Sequence, residues 1–187
     1  MRTVGDLSGP GCALGSVDPW EAVPMLDANR NSFNRTQLVP FDLDGHRYAL
    51  PLTAVERIVR IGEITPLPKA PPIVLGIVNI GGLILPVCNV RRRFRLPERE
   101  IDLTDQLILA QAERRMVALV VDEVSPVVEH PDSEVIAAQE ILPGLEYVQG
   151  VARLEDGMIL IHDLDKFLSF EEGAVLDRAL AEAPSLG

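Results

Sequence analysis

Aromatic side chains make up only 4% of the 187 residues while hydrophobic residues make up 47%, so any core this chain builds is aliphatic. Cysteine is nearly missing as well. Cys12 and Cys88 lie too far apart to outline a disulfide framework, and with His46, His130 and His162 scattered they offer no zinc-ligand spacing. A reducing compartment suits such usage. Positive charge is scarce: 17 Lys and Arg against 28 Asp and Glu leave a formal net charge of −11, the wrong sign for a general nucleic-acid binder, whose affinity comes from neutralising phosphates. Catalytic signatures are lacking too, with no G-x-S-x-G elbow and no phosphate-cradling Gly loop. His162 and Asp163 are adjacent on a predicted strand and point to opposite faces, which predicts a surface histidine and a strand-end aspartate. The acidic run from Glu98 to Asp105 is expected to be a solvated face. No apolar run of signal-peptide length precedes GPGCALG, and Gly9, Pro10 and Gly11 do not suit a lipoprotein site at Cys12. The expectation is a soluble cytoplasmic protein without enzymatic activity, cofactor or metal.

What the chain does have is the stretch Ile73 to Arg95, IVLGIVNIGGLILPVCNVRRRFR. No charge falls between Lys69 and Arg91, and twelve of its first eighteen residues are Ile, Val, Leu or Cys. A membrane span is one reading of such a run. Asn79, Gly81-Gly82, Pro86 and Asn89 interrupt it, however, and β-branched residues dominate. The pattern predicts two strands, IVLGIVNI and LILPVCNV, joined at Gly81-Gly82, where glycine tolerates the positive φ of a tight turn. Pro86 lacks a donor and is expected at a bulge or on the outer side of an edge strand. Arg91, Arg92, Arg93 and Arg95 follow, either as a solvated counterweight to acidic neighbours or as a partner-docking cluster.

Residues 1 to about 35 show little periodicity and read as a flexible extension. Trp20 in VDPWEAVPML is either a short docking motif or a segment that packs back. From Gln37 strands take over. LVPFDLD and HRYALPL flank Asp44-Gly45, LTAVERIVRI is a helical turn running into a strand, and TPLPKAPP excludes regular structure. QLILAQA and RMVALVVDEV follow, separated by a turn at Glu113-Arg114, and GVARL and MILIHDL flank Asp156-Gly157. A C-terminal helix opens on a Ser169/Glu172 capping box and carries Val175, Leu176, Ala179, Leu180 and Ala183 on one face. GIVNIGGLILPVCNVRRRF and GVARLEDGMILIHDLDKF echo one another about seventy residues apart, too far for a solenoid, which predicts two similar half-domains. Many short strands with little helix predict an all-β fold of two small closed barrels plus the terminal helix.

These segments, in order, resemble the CheW family of chemotaxis coupling proteins. FDLDGHRYALPLTAVERI is similar to the family's opening hairpin and helical turn, and PPIVLGIVN to its Pro-Pro then Gly-(hydrophobic)2-Asn signature. LILPVCNVRRRF resembles I-V-P-V-x-D-L-R-x-x-F, VALVVDEVSPVV resembles V-G-(hydrophobic)2-V-D-x-V-x-x-V, and MILIHDLDKFLSFEE matches the close. The resemblance implies a non-enzymatic scaffold over residues 36–187, built as two five-stranded SH3-like barrels. It also implies two partners, the regulatory domain of a CheA-type histidine kinase and the cytoplasmic tip of chemoreceptors, assembled through ring interfaces without membrane insertion.

By position, Val55, Arg57, Gly76, Asn79 and Gly81 match the receptor-facing region, with Val87 and Val90 on a nearby strand and Arg91 completing the implied partner-binding set. Gly76 either permits close approach of a receptor helix or serves a bulge, and Gly76→Arg is expected to block the receptor while sparing the fold. The chain departs from the family pattern at three places. It has Asn79-Ile80-Gly81-Gly82 for N-L-R-G, Val55-Glu56-Arg57-Ile58 for V-x-E-I, and Asn89-Val90-Arg91 for D-L-R. The alternative they raise is a regulatory module that binds one partner in a pilus or other non-motility pathway.

Overall fold

The structure is a computed structural model that describes residues 35–112, 114–138, 147–154 and 157–182. The N-terminal extension with Cys12 and Trp20, and the turn residues Glu113 and Asp156, lie outside the described residues. The described residues form twelve strands: β1 Arg35–Leu43, β2 His46–Pro51, β3 Val55–Arg60, β4 Val74–Ile80, β5 Leu83–Asn89, β6 Gln106–Gln111, β7 Met116–Val121, β8 Glu123–Val124, β9 Val128–Pro131, β10 Ile136–Ala137, β11 Val148–Leu154 and β12 Gly157–His162. Among the described residues two α-helices accompany them, α1 Val90–Phe94 and α2 Phe170–Glu182.

The turns form where the sequence supplies residues that tolerate positive φ. Asp44 (φ 55°) and Gly45 (φ 73°) join β1 to β2, and Gly81 (φ 62°) and Gly82 (φ 90°) join β4 to β5. Pro51 ends β2 and a 3-10 turn at Leu52–Ala54 leads into β3, as the sequence predicts.

The strands form two sheets, one in the order β3-β6-β7-β5-β4 and the other in the order β10-β11-β12-β2-β1-β8, with β9 also paired to β1. β8 and β9 lie against successive parts of the same edge of β1, so they act as one broken strand. The two sheets then share one plan. In each, an antiparallel hairpin (β4-β5 or β11-β12) meets a second hairpin (β6-β7 or β1-β2) through a parallel contact, β5 with β7 and β12 with β2. The half-domains predicted from the internal echo need one correction. Each sheet takes one hairpin from the other half of the chain, because β1 and β2 join the C-terminal strands while β6 and β7 join the N-terminal ones.

The alternation of burial explains why the strands read as unbroken apolar runs. Val78, Leu85, Val87, Leu107, Leu109 and Ala118 form a core within the five-stranded sheet, and Leu38, Ala49, Ala152, Ile159 and Ile161 form the counterpart in the other. The alternate residues Cys88, Ile108, Ala110, Val117 and Leu119 turn the other way and meet Phe41, Leu43, Tyr48 and Leu50 in a third core between the sheets. Both faces of β5, β6 and β7 are therefore dry, so polar alternation is absent. Burial pushes the Cys88 thiol up to about 12, which leaves it inert.

Helix α2 closes this third core with Leu176 and Ala179, and Leu180 packs beside them. Its capping box forms as predicted, with Ser169 N–H donating to Glu172 Oε2 (2.8 Å) and Glu172 N–H donating to Ser169 Oγ (3.2 Å). Arg93 to Glu172 (2.5 Å), Arg115 to Asp177 and Lys69 to Glu182 (2.7 Å) clamp it along its length.

Two expectations for the central hairpin are corrected. Pro86 lies in β5, an interior strand, and is neither on an edge nor the bulged residue. It is tolerated because both backbone groups of its partner Ile77 bond to Thr65 instead, and the parallel ladder with β7 starts only at Val87. No hydrogen bond therefore asks for the missing N–H. Gly76 is buried at the slip in pairing between β4 and β5, and a Cβ there would run into the carbonyl oxygen of Thr65. Gly150 occupies the equivalent slip in β11, with its virtual Cβ 2.9 Å from the Ile136 carbonyl oxygen. Gly76→Arg thus cannot spare the fold. Even Gly76→Ala is expected to destabilise the protein by more than about 2 kcal/mol, because the obstacle is backbone. Urea denaturation beside Gly81→Ala checks this, since Gly81 faces open space and suffers only the φ penalty.

Candidate partner-docking surface

The described residues contain no group of three or more metal-ligating side chains. Nor do they contain a helix long and apolar enough to cross a membrane. What the five-stranded sheet offers is surface: the exposed edge strand β3 and the tip of the β4-β5 hairpin.

At the tip, Asn79 Oδ1 accepts the N–H of Gly82 (2.8 Å), which pins the turn. Leu83 and Ile84 follow with 49% and 42% exposure, in a chain that buries most of its large aliphatics. On β3, Val55 packs partly against the core between the sheets, whereas Glu56, Arg57, Ile58 and Arg60 are exposed. The pairing of β3 with β6 slips between Val55 and Arg57, which makes Glu56 the extra residue of a bulge.

The remaining expected docking residues point inward, and this corrects the expectation of direct contact through them. Val87 and Val90 are 0% and 1% exposed, and Val90 opens α1 and does not continue the strand. Asn89 is the cap of α1, accepting from Arg92 N–H, so it does locally what an Asp does there. Arg91 is buried. It donates twice to Asp122 (2.8 and 2.5 Å) and also reaches Asp44 Oδ1 (3.4 Å) and the Pro97 carbonyl (3.2 Å). Of the other arginines, Arg92 pairs with Glu98 and bonds the Pro72 carbonyl, and Arg93 pairs with Glu172 beneath the rings of Tyr147 and Phe167. The cluster is thus largely the counterweight to acidic neighbours. Within the acidic run Glu98, Glu100 and Asp102 are exposed as expected, whereas Asp105 is 2% exposed and paired with Arg99 (2.5 Å).

Asp122 is the hub of this network. It sits where the chain leaves β7 for β8 and so passes between sheets. It accepts from Arg91, from Arg99 (2.7 Å) and from the Asp44 N–H (2.8 Å), while its own N–H donates to the Asp42 carbonyl (3.1 Å). Burial by itself would raise its pKa, but the hydrogen bonds from Arg91, Asp44 and Arg99 outweigh it and hold the carboxyl below its ordinary value.

His162 is buried, which corrects the expected surface position. Its ring stacks on Phe94 with centroids 4.0 Å apart, and Nδ1 lies 3.0 Å from the Tyr147 carbonyl. Burial depresses its pKa to about 4. Asp163 caps the 3-10 turn at Leu164–Lys166, accepting from Asp165 N–H, so the two neighbours share no site.

Sequence reasoning missed Ile58, Arg60, Leu83 and Ile84 as surface residues. Strand periodicity around Arg57 would have flagged Ile58 and Arg60, but the two apolar residues after Gly82 look like any buried strand start.

Comparison with known proteins comes out on one side. The CheW-like domain profile matches residues 37–172. A chemotaxis protein CheW from Rhizobium meliloti is 30% identical over 138 residues, covering 73% of this chain and 89% of that protein. The CheW of Bacillus subtilis is 28% identical over 150 residues, covering 76% and 94%. Among solved structures, the scaffolding protein TtCheW from Thermoanaerobacter tengcongensis superposes with a TM-score of 0.68 at 25% identity, over 73% of this chain and 94% of that one.

The pH dependence of stability separates the buried His162 from the half-buried Asp122. His162 has a lowered folded pKa, so the unfolded chain binds the proton first. Its stability cost is absent above about 6.5 and grows as pH falls towards 4. Asp122, also lowered, contributes stability that is intact above the ordinary Asp value of about 3.9 and is lost as pH falls through its folded value. Thermal melts from pH 8 to 2.5 are expected to flatten in the upper window for His162→Gln and in the lower window for Asp122→Asn.

Proposed function

Because this chain belongs to the CheW-like domain family, we propose that it is a non-enzymatic cytoplasmic adaptor joining chemoreceptors to a CheA-type histidine kinase in a chemosensory array. The observation that carries the reading is the span of the family match, residues 37–172, which takes in both sheets, the crossover at Asp122 and the first turn of α2. The β3 edge and the hairpin tip supply what an adaptor needs, exposed aliphatic side chains on an otherwise acidic protein. Kinase and receptor docking would use Val55, Arg57, Asn79 and Gly81 directly. Gly76, Val87, Val90 and Arg91 act from beneath, by holding the hairpin and α1 in place.

A second reading, a regulatory module with one partner, is favoured by Gly81. The family pattern has an arginine at this point, and here the position faces open space without a side chain. Pull-down of the full chain with the kinase regulatory domain and with a receptor cytoplasmic tip decides between them. The adaptor reading expects both to be captured, and Leu83→Asp to weaken capture at the hairpin tip by at least about tenfold. Capture of the kinase alone selects the one-partner module, and capture of neither overturns both readings.

A further inference from the structure

Strand β3 is an edge with an unused side. It pairs only with β6, and among the described residues no group takes its outer row of N–H and C=O groups. A bond just past its end fixes which groups these are. Ile61 N–H donates to the Asp105 carbonyl (3.2 Å), and bonding direction alternates along an antiparallel strand, so Val59 and Arg57 also turn their backbone groups to β6. Ile58 and Arg60 turn theirs outward. The bulge at Glu56 interrupts this order, which leaves Arg57 to Arg60 as the regular part of the edge.

The side chains decide what that row accepts. Arg57 and Arg60 are exposed, and among the described residues neither has an ion-pair partner, although Arg35, Arg91, Arg92, Arg93, Arg99 and Arg115 all do. Three places apart, they point to opposite faces of the sheet. Ile58, 41% exposed, shares a face with Arg60, and Val59 is half-buried. A second copy fits poorly, because antiparallel pairing of these four residues with themselves sets Arg57 against Arg60, and like charges directly opposite destabilise a ladder. Charge on an edge repels strands of its own sign, and by the same Coulomb term it attracts strands of the other.

We propose that the outer edge of β3 takes an extended acidic segment of a partner protein as an added strand. Its carboxylates lie three places apart, opposite Arg57 and Arg60, and the two residues between them are apolar, opposite Ile58 and Val59. The outward N–H and C=O groups of Ile58 and Arg60 hold the added backbone, while the two ion pairs, one on each face, select its sequence. This deepens the adaptor reading, and rests on it for the presence of a partner at Arg57, by giving the chemistry and conformation of the segment bound there.

Amide exchange of the full chain followed by NMR, during titration with the synthetic peptide acetyl-Thr-Glu-Val-Val-Glu-Thr-amide to about 1 mM, tests the edge without kinase or receptor. The peptide carries the same pattern in both directions, so it fits a parallel or an antiparallel approach. Slowed exchange is expected at the N–H groups of Ile58 and Arg60, with Val59 and Ile61, which face β6, unchanged. Gln in place of both peptide Glu residues is expected to weaken binding by about tenfold or more, and so is the variant R57E/R60E. A peptide with Lys in both Glu places is expected to bind R57E/R60E instead, since the pairs are merely reversed, and unchanged protection of Val59 and Ile61 shows that the variant keeps its fold. No slowing at Ile58 and Arg60 overturns the proposal, as does equal binding of the Gln peptide. Protection of these two amides before peptide is added overturns it too: constant on dilution, it means that the chain covers its own edge, and lost on dilution, that a second copy does. Each of these results leaves the pull-down free to support or refute the adaptor reading.

Discussion

The fold depends on one carboxylate at the point where the chain crosses between its sheets. Asp122 receives two guanidinium groups and a backbone N–H, and its own N–H ties it to Asp42. These bonds join the β1-β2 turn, α1 and the loop before β6. Removing the carboxylate would leave Arg91, whose side chain is 8% exposed, with only the longer carboxylate contact to Asp44 (3.4 Å), which is more damaging than losing a surface pair. Arg99 extends the network to Asp105, so charge pairs hold the loop from Arg95 to Asp105 together with Leu96, which packs against the core between the sheets.

Around that pivot the architecture is an exchange. Each sheet wraps its own small aliphatic core and borrows a hairpin from the other half of the chain, and a third core fills the space between them. The equivalent slips at Gly76 and Gly150, and the equivalent caps at Asn89 and Asp163, show that the echo in the sequence is an echo in backbone geometry. Both glycines yield space to a carbonyl oxygen of a neighbouring segment, Thr65 in one half and Ile136 in the other.

The consequence for function is a division of labour within one short region. Val87, Val90 and Arg91 fix the shape of the hairpin and α1 from inside, while Asn79, Gly81, Leu83 and Ile84 form its outer tip, with Arg57 and Ile58 on the β3 edge. An adaptor is served by this arrangement, since rigid support beneath an apolar tip lowers the entropy lost on docking. His162 is enclosed by Phe94 and Tyr48 and is occupied with packing.

The sequence by itself determined the elements that rest on local chemistry. The Asp44-Gly45 and Gly81-Gly82 turns, the Ser169/Glu172 box, the apolar face of α2 and the strand boundaries all follow from φ preferences, capping and periodicity within a few residues. Family membership was legible for the same reason, because the matching motifs are those turns and strands in order. Only the tertiary structure decided which faces are inside and which hairpin joins which sheet. Arg91 and Asp105 look like surface charge until partners distant in sequence enclose them. His162 looks exposed until Phe94 stacks on it, and Gly76 looks free until the Thr65 carbonyl approaches. These outcomes depend on contacts across tens of residues, and periodicity within one strand carries no information about what will lie against it.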